Sequence, residues 1–342
     1  MTVGGRWSVG AVRRDTDPMS VRHYYERVAE GLAERGVAVV PVAADGPFPS
    51  GCDIAWDPGF GIQPVAPVLQ RGSVPVVVTV HGVRLWSLPW WELAEGAWDA
   101  LKECRRALWV LSARRWFRER VVAVVAVSQF GAQEAVRAFH LPEERVHVIH
   151  HGADHRCFKP GGEVLRRERP YFLVVAQYQP KKNVGRVMAA YETLPQDERP
   201  DLVLVLPGYR GRAPVARGID LIRRPLTPDE LARYYRGARA LLFPSLHETF
   251  GMPIVEAMAC GCPVVTSRDT ACAEVSGGAA LLVDPRSVDE IAMAMRSLMD
   301  GGAFSDEIGR IGLLRAEQFT WEASVQRHHA LFEDVLATRA GE

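Results

Sequence analysis

Short, almost uninterrupted apolar runs alternate with helical patterns along the whole chain. Such runs show no alternation between a buried and an exposed face, which is the pattern of parallel strands covered by helices on both sides. Repeated strand–helix units predict doubly wound α/β layers. The twelve runs are residues 6–12, 36–42, 52–56, 74–80, 121–128, 145–150, 170–177, 201–207, 218–222, 239–244, 262–267 and 278–285.

Twelve strands are too many for one open sheet, and 342 residues are enough for two domains. Residues 150–170 are polar, rich in Gly and Pro and without periodicity, as expected of a connection. We therefore predict two Rossmann-like domains facing a cleft, at residues 1–160 and 161–320. Residues 321–342 read as a helix with no strand after it, expected to pack back toward the first domain.

Composition excludes several classes of function. The chain has 41 basic and 41 acidic residues, so its formal charge of zero gives no indication of a nucleic-acid partner. The N-terminus lacks a signal-peptide pattern, and no apolar run reaches the ~20 residues of a membrane span. The six cysteines are scattered rather than spaced as a disulfide framework. These features together predict a cytoplasmic protein.

The stretch HETFGMPIVEAMACGCPVV, residues 247–265, carries the strongest indication of chemistry. It follows a predicted strand, so it should lie at the carboxyl end of a parallel sheet, where such folds bind ligands. Pro253 suits the first turn of a helix, whose N-terminal amides attract phosphate. Glu248 and Glu256 would then place a carboxylate on each side for hydroxyl groups. A diphosphate with a sugar at each end, a nucleotide-sugar, fits this arrangement.

This stretch resembles the E-x7-E signature of the retaining glycosyltransferases of family 4, which have the GT-B fold. Four further segments follow in that family's order and spacing: residues 122–130, 145–160, 173–183 and 319–328. The resemblance covers most of residues 75–340 and is weak over 1–74. It implies transfer of a sugar, with retention, from a nucleoside diphosphate donor (UDP is the first expectation) to an acceptor hydroxyl. The resemblance implies that this reaction needs no metal or other cofactor.

The resemblance also implies roles for individual residues. Glu256 would bind the ribose hydroxyls, Glu248 the hydroxyls of the donor sugar, and Lys182 the diphosphate. His81, at the end of a predicted strand, would lie near the reacting carbon, so His81, Glu248 and Lys182 are the catalytic candidates. The other donor-binding candidates are Thr249, Phe250, Gly251, Met252, Pro253, Ile254, Gln177 and Leu226.

Two departures from the family concern the donor phosphates. The family often has an arginine where Gln177 stands, and a glycine pair where this chain has RRDTDPMSV at 13–21. Arg13 or Arg14 is a candidate to replace the missing charge. The Asp15–Asp17 pair resembles a metal-binding motif of another glycosyltransferase fold, and residues 150–157 are rich in His, but neither has accompanying ligands at familiar spacing. We therefore expect no metal site.

The acceptor is less well defined by the sequence. Trp86, Trp90 and Trp91 follow His81 and could stack on a sugar ring, which predicts a glycoside, oligosaccharide or lipid-linked acceptor. The short, Trp-rich first domain is similar to enzymes that decorate oligosaccharide antibiotics. Residues 102–120 contain seven basic and two acidic residues, which suits peripheral contact with the inner membrane face or a solvated helix. A non-catalytic sugar-nucleotide-binding subunit and a nucleotide-sugar epimerase are the alternative functions.

Overall fold

The structure is a computed structural model that describes residues 7–60, 65–70, 72–83, 88–89, 92, 96–212 and 216–340. These residues form two compact units. The first draws on residues 1–89, 97–152 and 321–342, and the second on 90–96 and 153–320. The chain passes between units after Gly152, whereas the sequence placed the boundary after residue 160.

Each of the twelve apolar runs overlaps one strand, and the predicted fold class is confirmed. The strands are β1 (Ser8–Arg13), β2 (Ala38–Ala43), β3 (Ile54–Phe60), β4 (Val76–Val80), β5 (Val121–Ala126), β6 (Val146–Val148), β7 (Tyr171–Val175), β8 (Asp201–Val205), β9 (Ile219–Ile222), β10 (Ala240–Phe243), β11 (Val264–Ser267) and β12 (Leu281–Val283). The α-helices within the described residues are α1 (Met19–Glu34), α2 (Pro67–Gln70), α3 (Ala97–Arg120), α4 (Gln129–Phe139), α5 (Val184–Glu192), α6 (Pro228–Gly237), α7 (Met252–Ala259), α8 (Ala271–Ser276), α9 (Val288–Leu298), α10 (Ala303–Ala316) and α11 (Trp321–Ala340).

The first unit is a parallel six-stranded sheet in the order β2-β1-β3-β4-β5-β6. Apolar clusters cover both of its faces, which is why its strands lack an exposed face. On one face Phe117 from α3 stacks on Phe139 from α4, with ring centroids 4.0 Å apart. On the other face Trp56 from β3 packs against Phe332 from α11.

The C-terminal helix α11 belongs to the first unit, where it packs along α1. The contact is close because Gly31 has no side chain: a Cβ atom there would lie 2.5 Å from Val325 Cγ2. Val325 is buried. A glycine inside a helix normally costs about 0.5–1 kcal/mol relative to alanine, and at this position it allows the two helices to meet.

The second unit is also a parallel six-stranded sheet, in the order β9-β8-β7-β10-β11-β12. Relative to the unit's own chain order this is 3-2-1-4-5-6, the order of dinucleotide-binding sheets. The strand order reverses between β7 and β10. A crevice for a ligand is expected beyond the carboxyl ends of these two strands.

Local sequence signals account for the ends of the helices around this sheet. Thr227 and Glu230 form a capping box at the start of α6, as their spacing predicts. Gly261 follows α7 with φ +73°, a conformation that favours glycine. Among the described residues, no helix combines the length and apolar character needed to cross a membrane.

Candidate functional site

The loops that follow β7 and β10 meet at the reversal point of the second sheet. Their backbones are joined by a hydrogen bond from the Leu246 amide to the Lys181 carbonyl, at 2.7 Å. Lys182 Nζ lies 2.6 Å from Glu248 Oε1 in a pair that is largely buried. Lys182 and Glu248, 66 residues apart in sequence, are therefore brought together where a ligand is expected.

The surroundings of Glu248 favour its ionised form. Burial alone would raise the pKa of Glu248, but the charges of Lys182 and Lys181 and the hydrogen bond from Lys182 lower it to about 2. Lys182 Nζ also lies 4.9 Å from the centroid of the Phe243 ring, a cation–π contact. The ammonium is thus held in a fixed position at the rim of the sheet.

Asn183 fixes the geometry of these loops. It adopts a left-handed conformation with φ 61°, which asparagine tolerates better than most residues. Its side-chain amide donates to the Pro244 carbonyl at 2.9 Å and to the Pro285 carbonyl at 2.6 Å. One buried amide therefore ties together the loops after β7, β10 and β12. The sequence analysis did not single out Asn183, although it directly follows Lys182.

Glu256 lies in the second turn of α7, where it accepts a hydrogen bond from the Tyr235 hydroxyl at 3.1 Å. Burial raises the pKa of Glu256 to about 7, against the lowering effect of the Tyr235 bond. Its carboxyl group is therefore close to half protonated at neutral pH. Tyr235 was missed by sequence reasoning because it resembles an ordinary buried position of the amphipathic helix α6.

The segment between the two glutamates is a tight turn into α7. Gly251 has φ 95°, so the turn uses a conformation that L side chains rarely adopt. The Ile254 amide donates to the Gly251 carbonyl at 2.9 Å, and Pro253 has no amide hydrogen. The amides of Gly251 and Met252 are the better candidates for phosphate contacts. Thr249 and Phe250 precede them in the same loop.

The two other donor-binding candidates lie in loops at the same end of the sheet. Gln177 follows β7 and is exposed. Leu226 is half-buried in the loop between β9 and α6, and β9 lies two strands away from β7. Neither residue forms a hydrogen bond with Lys182 or Glu248 in the described part of the chain.

His81 lies in the first unit, directly after β4. Its Nε2 atom is 2.7 Å from the Pro58 carbonyl, so Nε2 carries the hydrogen and donates. Burial lowers the pKa of His81 to about 4, and the imidazole is neutral at pH 7. Its ring stacks on His151, with centroids 5.5 Å apart. A neutral His81 can form hydrogen bonds but cannot supply positive charge to a leaving group.

A buried polar network, which sequence reasoning also missed, lies beside His81. The Tyr24 hydroxyl is 2.9 Å from Thr79 Oγ1 and 2.6 Å from His328 Nε2. Trp56 Nε1 donates to the same Thr79 oxygen at 3.0 Å. Because these residues come from α1, β3, β4 and α11, the network fixes the sheet and both helices relative to one another.

Both arginines considered in the first strand–helix loop have partners within the first unit. Arg14 donates two hydrogen bonds to Asp57, at 2.8 and 2.6 Å, and the Asp57 carboxylate is fully buried. Asp17 Oδ2 accepts from the Arg14 amide. Arg14 is therefore engaged within the first unit. The guanidinium of Arg13, the other residue considered, lies over the Tyr25 ring.

The His-rich segment 150–157 forms a turn. Asp154 accepts from the amide and side chain of Arg156, and His155 Nε2 lies 3.0 Å from the Phe319 carbonyl. Across the described residues no group of three or more His, Cys, Asp or Glu side chains is placed to hold a metal ion. Trp86, Trp90 and Trp91, the acceptor candidates, lie outside the described residues.

Family comparisons agree with this architecture. Residues 159–313 match the family described as "Glycosyl transferases group 1", and residues 52–156 match "Glycosyltransferase Family 4". The match to Glycosyltransferase Family 4 falls almost entirely in the first unit, and the match to Glycosyl transferases group 1 falls in the second unit.

The chain is similar in sequence to curated proteins that are named as mannosyltransferases. The chain is 34% identical over 217 residues to O-antigen chain mannosyltransferase B of Escherichia coli, covering 58% of this chain and 57% of that protein. It is 29% identical over 291 residues to an MMP α-(1→4)-mannosyltransferase of Mycolicibacterium hassiacum, covering 82% and 69%. The alignment thus spans little more than half of the E. coli relative.

Solved structures share the fold at low sequence identity. Sucrose-phosphate synthase of Thermosynechococcus elongatus superposes with a TM-score of 0.77 at 18% identity, covering 97% of this chain and 100% of that one. HepE of Anabaena, solved in complex with UDP and glucose, gives 0.69 at 15% identity, covering 96% and 100%. At this identity the likeness establishes the GT-B fold.

Proposed function

We propose that the chain is a retaining, metal-independent glycosyltransferase that moves a sugar from a nucleoside diphosphate donor to an acceptor hydroxyl. The observation that carries the proposal is the Lys182–Glu248 pair at the reversal point of the second sheet. A fixed ammonium beside the place where a diphosphate would lie stabilises the charge that grows on the leaving group. The matching family domains support the same reaction class.

We propose for the site residues the roles that the family resemblance implies. Lys182 binds the diphosphate, and the ionised Glu248 accepts hydrogen bonds from hydroxyls of the donor sugar. Glu256 accepts hydrogen bonds from the ribose. The amides of Gly251 and Met252 contact phosphate oxygens at the start of α7.

Retention follows from attack by the acceptor on the face from which the diphosphate leaves, with a diphosphate oxygen taking the acceptor proton. His81 contributes a hydrogen bond as a neutral imidazole. Retention is tested by NMR: a donor of known anomeric configuration should give a product of the same configuration. An inverted product would refute this part of the proposal.

The nucleoside and the sugar of the donor have to be identified by experiment. UDP is the first nucleotide to test, because HepE was solved with UDP and with UDP-glucose. GDP and dTDP follow, since relatives are named as mannosyltransferases without a stated donor. We propose a glycan or lipid-linked glycan acceptor. The relatives' names refer to O-antigen and D-inositol 3-phosphate, so the antibiotic-type acceptor expected from the sequence has no support.

Thermal unfolding with UDP, GDP and dTDP, each in EDTA, is the first test. A nucleotide at ~100 times its Kd adds about 2.7 kcal/mol to the folded state, which raises the Tm measurably. Transfer from the matching nucleotide-sugar is then assayed. We expect Glu256→Ala to raise the donor KM, and Lys182→Ala to lower kcat as well, each by about 10- to 100-fold. Lys159→Ala is the matched control.

The outcomes separate the alternatives. Nucleotide binding without transfer to any glycan acceptor would favour a non-catalytic binding subunit, and conversion of the nucleotide-sugar alone into an epimer would favour an epimerase. Full activity of both the Glu256 and the Lys182 variants would refute the site. Loss of all activity in EDTA, restored by a divalent cation, would refute metal independence.

We also propose that the outer face of α3 contacts an anionic membrane surface. Trp98 is 80% exposed and Leu108 67% exposed, and Leu101 and Leu111 on the same face are exposed as well. Basic side chains on this face are Lys102, Arg105, Arg115 and Arg118, against the acidic Glu119. Apolar side chains among cations are typical of helices that lie in the membrane interface. A solvated helix face is the alternative.

Co-sedimentation with phosphatidylglycerol vesicles tests this contact. Leu108→Ser should weaken binding, whereas Phe304→Ser, which removes an exposed apolar side chain from α10 in the second unit, should not. If both variants and the original protein bind vesicles equally, the membrane contact is refuted and the outer face of α3 is a solvated helix face.

A further inference from the structure

A cavity of about 240 Å³ opens in the second unit. It lies at the opposite end of the strands from the loops that follow β7 and β10, which are called the donor loops below. Arg169 precedes β7, Asp201 is the first residue of β8, and Gly218 directly precedes β9; all three line the cavity. It therefore lies at the amino ends of the strands. The Lys182–Glu248 pair lies at their carboxyl ends, so the two sites are separate.

The lining of this cavity carries excess positive charge. Three guanidinium groups, from Arg169, Arg199 and Arg217, face one carboxylate, from Asp201. That carboxylate already accepts a hydrogen bond from Arg169 at 3.2 Å. Two of the three positive charges consequently have no counter-charge in the cavity lining.

Arg199 is the most informative of the three. It is only 6% exposed, yet no carboxylate among the described residues lies within ion-pairing distance of it. Its Nη1 and Nη2 atoms donate to the carbonyls of Tyr191, at 3.0 Å, and Arg217, at 3.3 Å. Its guanidinium lies 4.2 Å from the Tyr191 ring centroid. Neutral partners thus fix its position while leaving its charge uncompensated.

A purely structural role explains part of this arrangement. Arg199 satisfies a carbonyl at the C-terminal end of α5, where a cation is favourable. That role does not require Arg217, whose exposed side chain forms no ion pair in the described part of the chain. It also leaves unexplained why three arginines share one cavity. Guanidinium groups bind phosphate oxygens through paired, charge-assisted hydrogen bonds.

We propose that this cavity binds a phosphate group, with Arg199 and Arg217 donating to its oxygens. The volume accommodates a phosphate with a small attached group and is below the roughly 300–1,000 Å³ of sites for drug-sized ligands. The phosphate belongs either to a small soluble molecule or to a lipid headgroup. Because the site lies away from the donor loops, its occupancy does not depend on the proposed transferase reaction.

Binding of inorganic phosphate tests the site directly. Equilibrium dialysis with radiolabelled phosphate, at an ionic strength held constant with NaCl, gives the Kd for the original protein and for Arg217→Gln. Removing one charge-assisted contact should weaken binding about tenfold or more. Arg296→Gln, which removes an exposed arginine on α9, is the matched control and should bind phosphate normally. Phosphate held at the donor loops would be unaffected by either variant.

The proposal is supported if phosphate binding is saturable, is weakened in Arg217→Gln and is unchanged in Arg296→Gln. An unchanged Kd in Arg217→Gln, or no saturable binding by the original protein, overturns it. Vesicles of phosphatidylglycerol then identify the source of the phosphate. Reduced vesicle binding by Arg217→Gln assigns a lipid headgroup, and unchanged vesicle binding assigns a soluble phosphate compound.

Discussion

Glu256→Gln should stabilise the protein at neutral and alkaline pH, although Glu256 is proposed to bind the donor. The pKa of Glu256 rises from an ordinary value of 4.5 to about 7 on folding, mainly through burial. Between these values the folded chain holds a proton that the unfolded chain has lost. Stability therefore falls as pH rises through this window. Glutamine keeps the acceptor for Tyr235 and carries no charge.

The size of the effect follows from the shift in pKa. The rise in the pKa from 4.5 to about 7, at about 1.36 kcal/mol per pH unit, sets an upper limit of about 3 kcal/mol. The side chain is half-buried rather than fully buried, so we expect about 2–3 kcal/mol above pH 7.5. The difference between Glu256→Gln and the original protein should shrink as pH falls through 7 and should approach zero only below the unfolded pKa of 4.5.

The assay must report on the second unit. Tryptophan fluorescence is unsuitable, because most of the tryptophans lie in the first half of the sequence. Urea unfolding followed by far-UV circular dichroism at pH 5.5, 6.5, 7.5 and 8.5 is suitable, with hydrogen exchange of residues 240–260 to assign the transition. A pH-independent difference, or a Glu256→Gln protein that is less stable at pH 8.5, would refute the reasoning.

Glu248→Gln provides a control with the opposite sign. Although burial opposes ionisation, the neighbouring lysines lower the pKa of Glu248 to about 2. Its contribution to stability is therefore present above its unfolded pKa near 4.5 and is lost as pH falls toward 2. Glu248→Gln should be less stable than the original protein by a constant amount across pH 5.5–8.5. The two variants thus differ in both sign and pH dependence.

Three stability predictions follow from local geometry, each measured by urea unfolding. Gly31→Ala should cost about 1–3 kcal/mol because its Cβ would meet Val325, and Val325→Ala in the same chain should recover part of the loss. Asn183→Ala should cost about 2–4 kcal/mol through three lost side-chain hydrogen bonds and a strained φ, and Asn183→Gly should cost less. Thr227→Ala should cost about 1 kcal/mol by removing a helix cap, and Thr227→Ser almost nothing.

Sequence periodicity was sufficient for the fold because buried parallel strands are apolar on both faces and so stand out from the helices between them. The family resemblance also identified Glu248 and Lys182 as separate site candidates. It could not show that they form an ion pair, because their contact depends on the pairing of β7 with β10. Asn183 was missed for the same reason: its partners, Pro244 and Pro285, are distant in the sequence.

Charged clusters were harder to interpret from the sequence than apolar ones. The first strand–helix loop looked like a source of positive charge for the donor, yet Arg14 is paired with Asp57, a buried acid inside an otherwise apolar strand. The arginines at 169, 199 and 217 lie in three separate segments, and only the paired strands β7, β8 and β9 bring them to one cavity. Spacing along the chain carries no information about such clusters.

The raised pKa of Glu256 also has a consequence for donor binding. If the ribose hydroxyls bind to the ionised carboxylate, then about one tenth of the free protein is competent at pH 6 and about nine tenths at pH 8, for a pKa of about 7. The Kd for a nucleotide-sugar should accordingly be about tenfold higher at pH 6 than at pH 8. A nucleotide-sugar is the appropriate probe, because its diphosphate is esterified at both ends and has no proton to gain in this range. Isothermal titration calorimetry measures the Kd, and Glu256→Gln should bind more weakly but with little dependence on pH. The same pH profile in Glu256→Gln would show that another group controls donor binding and would remove Glu256 from the ribose site.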